Sequence, residues 1–335
     1  MSVPAARRPT LKDVAHAAGV SLKTASRVVN GVDSVDAAMA SRVRAACARL
    51  GYQRNGSAAD LRGGVSSTIG LIIRDITNPF YAAIAAGAMA AADERHLVVL
   101  AASSEGRVGH EQLLLDRLLD RRPSGMIVTP ADVDHVPTGT EQSRFVPFVT
   151  VDTDWPDLPF DHVSLDNDGG MTRLVDTAIS AGFRDFALIV DSFQLRTMWL
   201  RREAAHAALR RHGLDVAPGQ EMIGAHTIDD AAAVMGDLLS RGHRPDAVLC
   251  GNNRIALGVA STVVAAGLTT AIVCFDEFPL ADALPVDVIA AEFDPRDLGR
   301  TAVELLLSRL EDPDAPPRRV ALPTTLNHHT SGGRR

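Results

Sequence analysis

Between Thr10 and Gly31 the chain twice opens a helix with a capping residue and closes it at a glycine, all within 22 residues. Thr10 followed three residues later by Asp13 is a capping box: the hydroxyl accepts an N–H of the first turn and the carboxylate reaches back. The helix so begun runs to about Ala18 and stops at Gly19; Ser21 caps a second that runs to about Asn30 and stops at Gly31. Segments this short are not stable alone in water, so they must pack on each other across the tight Ala18-Gly19-Val20 turn, as in a helix-turn-helix. Asp36 opens a third helix that ends at Gly51 and keeps Val43, Cys47 and Leu50 on one face. The start of the chain therefore predicts an all-α, three-helix head.

The second helix has two unlike faces. At about 100° per residue, Ala25, Val28 and Val29 form an apolar stripe. Lys23, Arg27, Asn30 and Ser26 fall opposite, and Leu22 lies between the two. That outer face offers the donors and acceptors that base edges and phosphates require, with a leucine for a thymine methyl. Charge distribution points the same way. The 335-residue chain has a net charge of −7, yet residues 1–64 hold ten basic and four acidic side chains, a balance of +6 that leaves −13 on the remainder. A basic head on an acidic body suits a module that binds a polyanion while the body is repelled by it.

Composition narrows the alternatives. Lys12 and Lys23 are the only lysines, so neither a P-loop lysine nor a Schiff-base lysine is available in the body. Nucleophile-elbow, zincin and dinucleotide glycine motifs are absent too. Cys47, Cys250 and Cys274 are widely spaced, which fits buried thiols in a reducing compartment rather than disulfides or a zinc site. No apolar run reaches the ~18 residues of a membrane span, and the N-terminus lacks a secretory apolar core. The expectation is a cytoplasmic protein that is not an enzyme, needs no cofactor or metal, and does not enter a membrane.

The run from Thr10 through Val20-Ser21, then Thr24-Ala25-Ser26-Arg27-Val28-Val29-Asn30-Gly31 and Leu50-Gly51-Tyr52, closely resembles the head of the LacI family of bacterial transcription regulators. The likeness continues more loosely over almost the whole chain. It implies operator binding as a homodimer, with the second helix in the major groove of double-stranded DNA and Leu22, Lys23 and Arg27 reading bases. The DNA-contacting set is then Thr10, Ser21, Leu22, Lys23, Thr24, Ser26, Arg27, Asn30, Tyr52, Asn55, Ala58 and Leu61. Residues 1–54 form the head and the Gly/Ser/Ala-rich residues 55–67 a hinge. In the family such a hinge orders on the operator and wedges a leucine, matched by Leu61 after the small Ala58, into the minor groove. Ala59 stands where an arginine is common, and Asp60 brings a negative charge toward phosphates.

From Thr68 onward, residues 68–335 alternate short apolar strands with amphipathic helices, the pattern of parallel sheets covered by helices. A break near the midpoint suggests two lobes, and the family resemblance makes them similar to periplasmic sugar-binding proteins. Ligands of open parallel sheets lie at strand carboxyl ends. Those positions hold Asp75, Asn78, Phe80, Asp152, Asn252 and Asp276, carboxylates and amides beside an aromatic, suited to a polyhydroxylated ligand. The resemblance adds Arg201 as an effector contact. Two positions depart from the family: Asn252-Asn253 replaces the usual Asn-Asp, and Phe293 replaces a polar residue. Both point to a cleft open to an acidic or less polar ligand. His328 and His329 read as a solvated tail, and no leucine heptad follows them to make a tetramer.

The reading is a transcription regulator, a repressor, controlled by a small-molecule effector that is a sugar or a derivative. Two alternatives remain open on sequence alone: control by a protein co-effector, and a soluble sugar-binding protein that does not bind DNA.

Overall fold

The computed structural model describes residues 9–32, 35–52, 66–132, 146–153 and 160–331. The chain divides into two units, residues 1–67 and 68–335, and each has its own core.

In the first unit the described helices are α1 (Leu11–Ala18), α2 (Leu22–Val29) and α3 (Ala37–Leu50). The capping box forms as its spacing predicts: the Thr10 N–H donates to Asp13 Oδ2 at 2.7 Å, and the Thr10 hydroxyl accepts from the Asp13 N–H. Gly19 and Gly51 end α1 and α3 in the left-handed conformation, which glycine adopts without steric cost. Val14, Ala15, Ala18, Ala25, Val43 and Ala46 form the buried centre. The predominance of alanine lets three short helices approach closely.

The second unit contains two six-stranded sheets. Its elements are β1 (Thr68–Ile73), α4 (Pro79–Asp93), β2 (Val98–Ser103), α5 (Val108–Leu119), β3 (Gly125–Val128), β4 (Phe148–Val151), β5 (Asp161–Leu165), α6 (Asn167–Ser180), β6 (Phe186–Val190), α7 (Arg196–Arg211), β7 (Glu221–Ile223), α8 (Ile228–Ser240), β8 (Ala247–Cys250), α9 (Asn253–Ala265), β9 (Ala271–Cys274), β10 (Val288–Glu292), α10 (Pro295–Glu311), β11 (Arg319–Leu322) and β12 (Thr325–His329). One sheet has the order β11-β5-β4-β3-β1-β2 and the other β12-β10-β9-β8-β6-β7. The central strands β1, β3, β6, β8 and β9 are almost wholly apolar and buried, as strands covered on both faces must be.

The chain passes between the lobes three times: at Asp166 between β5 and α6, at Phe293-Asp294 between β10 and α10, and at Pro323-Thr324 between β11 and β12. The Arg173 guanidinium donates to Thr324 Oγ1 at 2.8 Å and to Asp166 Oδ2 at 3.4 Å, tying two of these passages together. Helix α10 returns to the first lobe and packs against α4, with Gly87 and Gly299 at the contact. A methyl on either would overlap the facing helix backbone at Arg296 or Ile84.

Four strands depart from the sequence reading. β5, β7, β11 and β12 sit in short segments whose apolar runs are three residues long at most. β5 reads Asp-His-Val-Ser-Leu yet is buried throughout, because Arg309 and Arg318 bring it matching charge. The expected solvated tail is instead β12, paired antiparallel to β10 with His329 opposite Val288, so the second sheet is not purely parallel. The His329 Nε2 lies 3.2 Å from Glu277 Oε1, which fixes the end of that strand.

Candidate functional site

The described residues of the first unit include a polar, open surface on α2. Ala25 at the centre of α2 is buried, while Leu22 is 45% exposed, and Lys23, Arg27 and Asn30 are exposed beside it. Ser21 caps the helix, its hydroxyl accepting the Thr24 N–H at 3.1 Å. Asn30 Nδ2 donates to Ser26 Oγ at 3.3 Å. Among the described residues neither Lys23 nor Arg27 has a hydrogen-bond or ion-pair partner. Thr10, Leu11, Lys12, Leu22, Lys23, Ser26 and Arg27 together line a shallow concavity, so the start of α1 and the outer face of α2 are presented as one surface. Thr10 and Ser21 are committed to helix capping, and Tyr52 packs against the head core. The expected positions Asn55, Ala58 and Leu61 lie outside the described residues.

In the second unit the carboxyl ends of the strands face each other across a cleft of about 130 Å³, lined in part by Arg74, Asp75, Asn78, Tyr81, Asp191, His226, Asn252 and Arg254. Hydrogen bonds bridge the lobes here. Asn253 Nδ2 donates to Asn78 Oδ1 at 3.2 Å, and Arg254 pairs with Asp75 and donates to Thr77 Oγ1 at 3.1 Å. Asn78 and Asn252 also cap α4 and α9, accepting the Phe80 and Ile255 N–H groups. Burial would raise the Asp75 carboxyl, but hydrogen bonds from Thr77 and Arg254 outweigh it and hold it below the usual carboxylate range.

Deeper lies a charged group. Arg201, almost fully buried, donates to Asn167 Oδ1 at 2.8 Å and to the Gly251 carbonyl at 2.7 Å. It stacks on Phe275 with Cζ 3.7 Å from the ring centre, and pairs with Asp276 Oδ1 at 3.7 Å. Asp276 Oδ2 accepts the Asn253 N–H at 3.0 Å. Asp152, in the left-handed conformation at φ 57°, accepts from the Tyr81 hydroxyl at 3.2 Å. Burial raises both carboxyls against the pull of Arg201, Asp152 to about 6.

Three shielded oxygens in this group, Asp152 Oδ1, Asn253 Oδ1 and Asp276 Oδ1, accept no hydrogen bond among the described residues. A buried acceptor without a donor costs on the order of 1–3 kcal/mol, so a ligand that brings donors, such as hydroxyls, recovers that cost.

Of the residues the sequence nominated, Asp75, Asn78, Asp152, Arg201, Asn252 and Asp276 belong to this network. Phe80 and Phe293 instead pack on each other edge to face at 6.1 Å, with Phe275 adjoining, and form an apolar wall at the crossover. Sequence reasoning missed Arg74, Asn167, Asp191, His226 and Arg254. Arg74, Asn167 and Asp191 lie within two residues of a strand's carboxyl end, His226 lies in the loop after β7, and Arg254 lies in the first turn of α9.

Residues 10–55 match the family of bacterial regulatory proteins of the lacI type, and residues 175–331 match a periplasmic binding protein-like domain. The chain is 29% identical to the ribose operon repressor of Escherichia coli (strain K12) over 323 residues, covering 93% of this chain and 96% of that one. It is 28% identical to the HTH-type transcriptional regulator CelR of Thermobifida fusca, over 97% and 99% of the two chains. Among solved structures, the lac repressor dimer bound to operator and the anti-inducer ONPF is similar with a TM-score of 0.83 at 25% identity, covering 97% of this chain and 99% of that chain. A complex of CelR with cellobiose gives 0.71 at 26% identity, with 97% and 100% covered.

Proposed function

Because the chain belongs to the LacI family of bacterial regulatory proteins, we propose that it represses transcription by binding a palindromic operator as a homodimer, under control of a polyhydroxylated effector held between the lobes. The observation that carries the DNA-binding half is the outer face of α2, where Lys23 and Arg27 stand exposed around Leu22 and have no ion-pair partner among the described residues. A major groove admits one helix, and the cations supply phosphate or guanine contacts without breaking an existing pair. The chain acts by binding alone. The coupling of DNA and ligand assigned to the cleft requires no bond to be made or broken.

Control follows from where the ligand sits. The cleft is bridged by Asn78–Asn253 and Asp75–Arg254, and the buried group beside it has three oxygens without a hydrogen bond among the described residues. A ligand that donates to acceptors on both lobes favours one lobe arrangement over another, and it shifts DNA affinity only by its differential affinity for the two. The relatives named for ribose and the complex with cellobiose support a sugar or sugar derivative as the class of effector. Residues 55–67, which include Ala58 and Leu61, are proposed to transmit the change to the operator.

The test is selection of bound fragments from genomic DNA at a stated salt concentration, since salt sets non-specific affinity. Anisotropy on the selected site then follows, with and without candidate sugars. Enrichment of a palindrome whose affinity changes with one sugar is the expected result. No preference for any duplex overturns the reading.

A further inference from the structure

At the mouth of the cleft the charges nearly cancel, with one exception. Arg254 is matched by Asp75, His226 by Asp191 at 3.0 Å, and Glu105 by Arg107 at 2.8 Å. Arg74 is 5% exposed and lines the same cleft. Among the described residues it makes one hydrogen bond, to the Ala131 carbonyl, and no ion pair. A carbonyl satisfies one donor of a guanidinium and none of its charge, and an unpaired buried cation is costly.

The surroundings hold this guanidinium at the cleft. Gly106, at φ 65°, lies against it so closely that a Cβ there would stand 3.1 Å from Arg74 Cζ and Nη2. The two carboxyls that sense its charge, Glu111 and Asp152, are not ion-paired to it, and burial pushes them up to about 7 and about 6. His226 is disfavoured as a cation by both Arg74 and Arg254, although its hydrogen bond to Asp191 raises it on balance. Three basic groups thus act on one small space.

We propose that the effector carries a single oxyanion, a phosphate ester or a carboxylate, that sits on Arg74 at the cleft mouth beside Arg254 and His226. Its hydroxyls point inward to Asp152, Asn253 and Asp276. This rests on the reading of the cleft as a polyhydroxyl site and adds that the ligand is acidic. Arg201 is not the anion's seat, since Asn167, Gly251, Asp276 and Phe275 already engage it.

The experiment uses the full-length protein in two arms. In the first, thermal unfolding is compared in inorganic phosphate and in chloride at equal ionic strength. In the second, calorimetry compares matched probes: glucose with glucose 6-phosphate and gluconate, and ribose with ribose 5-phosphate. The proposal expects a phosphate-dependent rise in Tm. It also expects an acidic probe to bind at least tenfold tighter than its neutral partner, and the phosphate or carboxylate pairs tell the two anions apart. Arg74→Gln should abolish both effects, while Arg74→Lys retains part of the preference. Should Arg74→Gln fail to fold, the exposed-side variant Arg254→Gln should reduce the acidic preference at least threefold. Neutral probes binding as tightly as acidic ones overturn the acidic assignment and leave the sugar reading standing. Stabilisation by phosphate that depends on Arg74, with no sugar bound, keeps the anion seat and refutes the polyhydroxyl reading. Neither phosphate nor an acidic probe having any effect overturns the proposal outright.

Discussion

Replacing Asp276 with alanine isolates the electrostatics on which the cleft depends. The side chain accepts the Asn253 N–H at the start of α9 through Oδ2 and faces Arg201 through Oδ1 at 3.7 Å. Removing it leaves a guanidinium that is almost fully buried, with the Asn167 and Gly251 oxygens and the Phe275 ring as its contacts among the described residues and Asp152 as the other carboxyl that feels its charge. Breaking a buried pair from one side costs about 3–5 kcal/mol. The 3.7 Å separation is an ion pair without a hydrogen bond, which argues for the lower end, ~3 kcal/mol. For a domain of this size, each kcal/mol shifts Tm by about 2–4 °C, so the expected fall is about 6–12 °C. Asp276→Asn, which keeps the acceptor and the volume, should fall between wild type and alanine. The decisive variant is the double substitution Arg201→Met with Asp276→Ala, which removes both charges. Its loss should be smaller than the sum of the single losses by at least about 1 kcal/mol. Calorimetric unfolding without ligand provides the measurement. A loss under about 2 °C for Asp276→Ala, or strict additivity in the double variant, would refute the claim that Arg201 depends on this carboxylate.

Three other perturbations have defined outcomes. Asp152 is held at about 6 by burial, above its unfolded value, so its ionisation opposes folding as pH rises through that window. Asp152→Asn should therefore raise Tm at pH 7, and the gain should shrink as pH falls and vanish below about pH 3, where the carboxyl is protonated in both states; a gain that grows on acidification contradicts the assignment. Arg27→Ala should reduce discrimination between operator and mutated operator by about 1–3 kcal/mol in anisotropy titrations, whereas equal loss on random duplex would make Arg27 a phosphate contact. Gly87→Ala places a methyl into the Arg296 backbone and should cost about 1–3 kcal/mol in urea unfolding, while Gly109→Ala, with open space around it, should not.

The head was legible because its signals are local. Thr10 and Asp13 meet within one turn, and Gly19, Gly31 and Gly51 mark the stops on their own. The same holds for β1, β6, β8 and β9, whose apolar runs need no partner to be recognised. β5 was not legible. Asp161 has no exposed side-chain surface, yet it is made tolerable by Arg309 at 2.9 Å and Arg318 at 3.0 Å, about 150 residues further along the chain. A local pattern contains no trace of that match. β12 failed for a related reason, since its threonine and histidines look solvated until β10 supplies the ladder and Glu277 the partner for His329.

The cleft divides along the same line. A strand end predicts where a ligand can lie, and Asp75, Asp152 and Asp276 follow from it. It does not predict which side chains are already spent on the protein. Asn78 and Asn252 cap helices with the very oxygens that were free to contact a ligand, and Phe80 turns into the apolar wall with Phe293. What remains without a hydrogen bond among the described residues is one oxygen each of Asp152, Asn253 and Asp276, and Arg74 is without an ion pair. Asn253 is shared between two roles, because its Nδ2 bridges to Asn78 in the other lobe while its Oδ1 is unpaired. A ligand hydroxyl that donates to that oxygen fixes the amide's orientation and with it the bridge between lobes. Asn253 is therefore the residue whose amide, having both a donor and an acceptor, can join ligand occupancy to lobe contact.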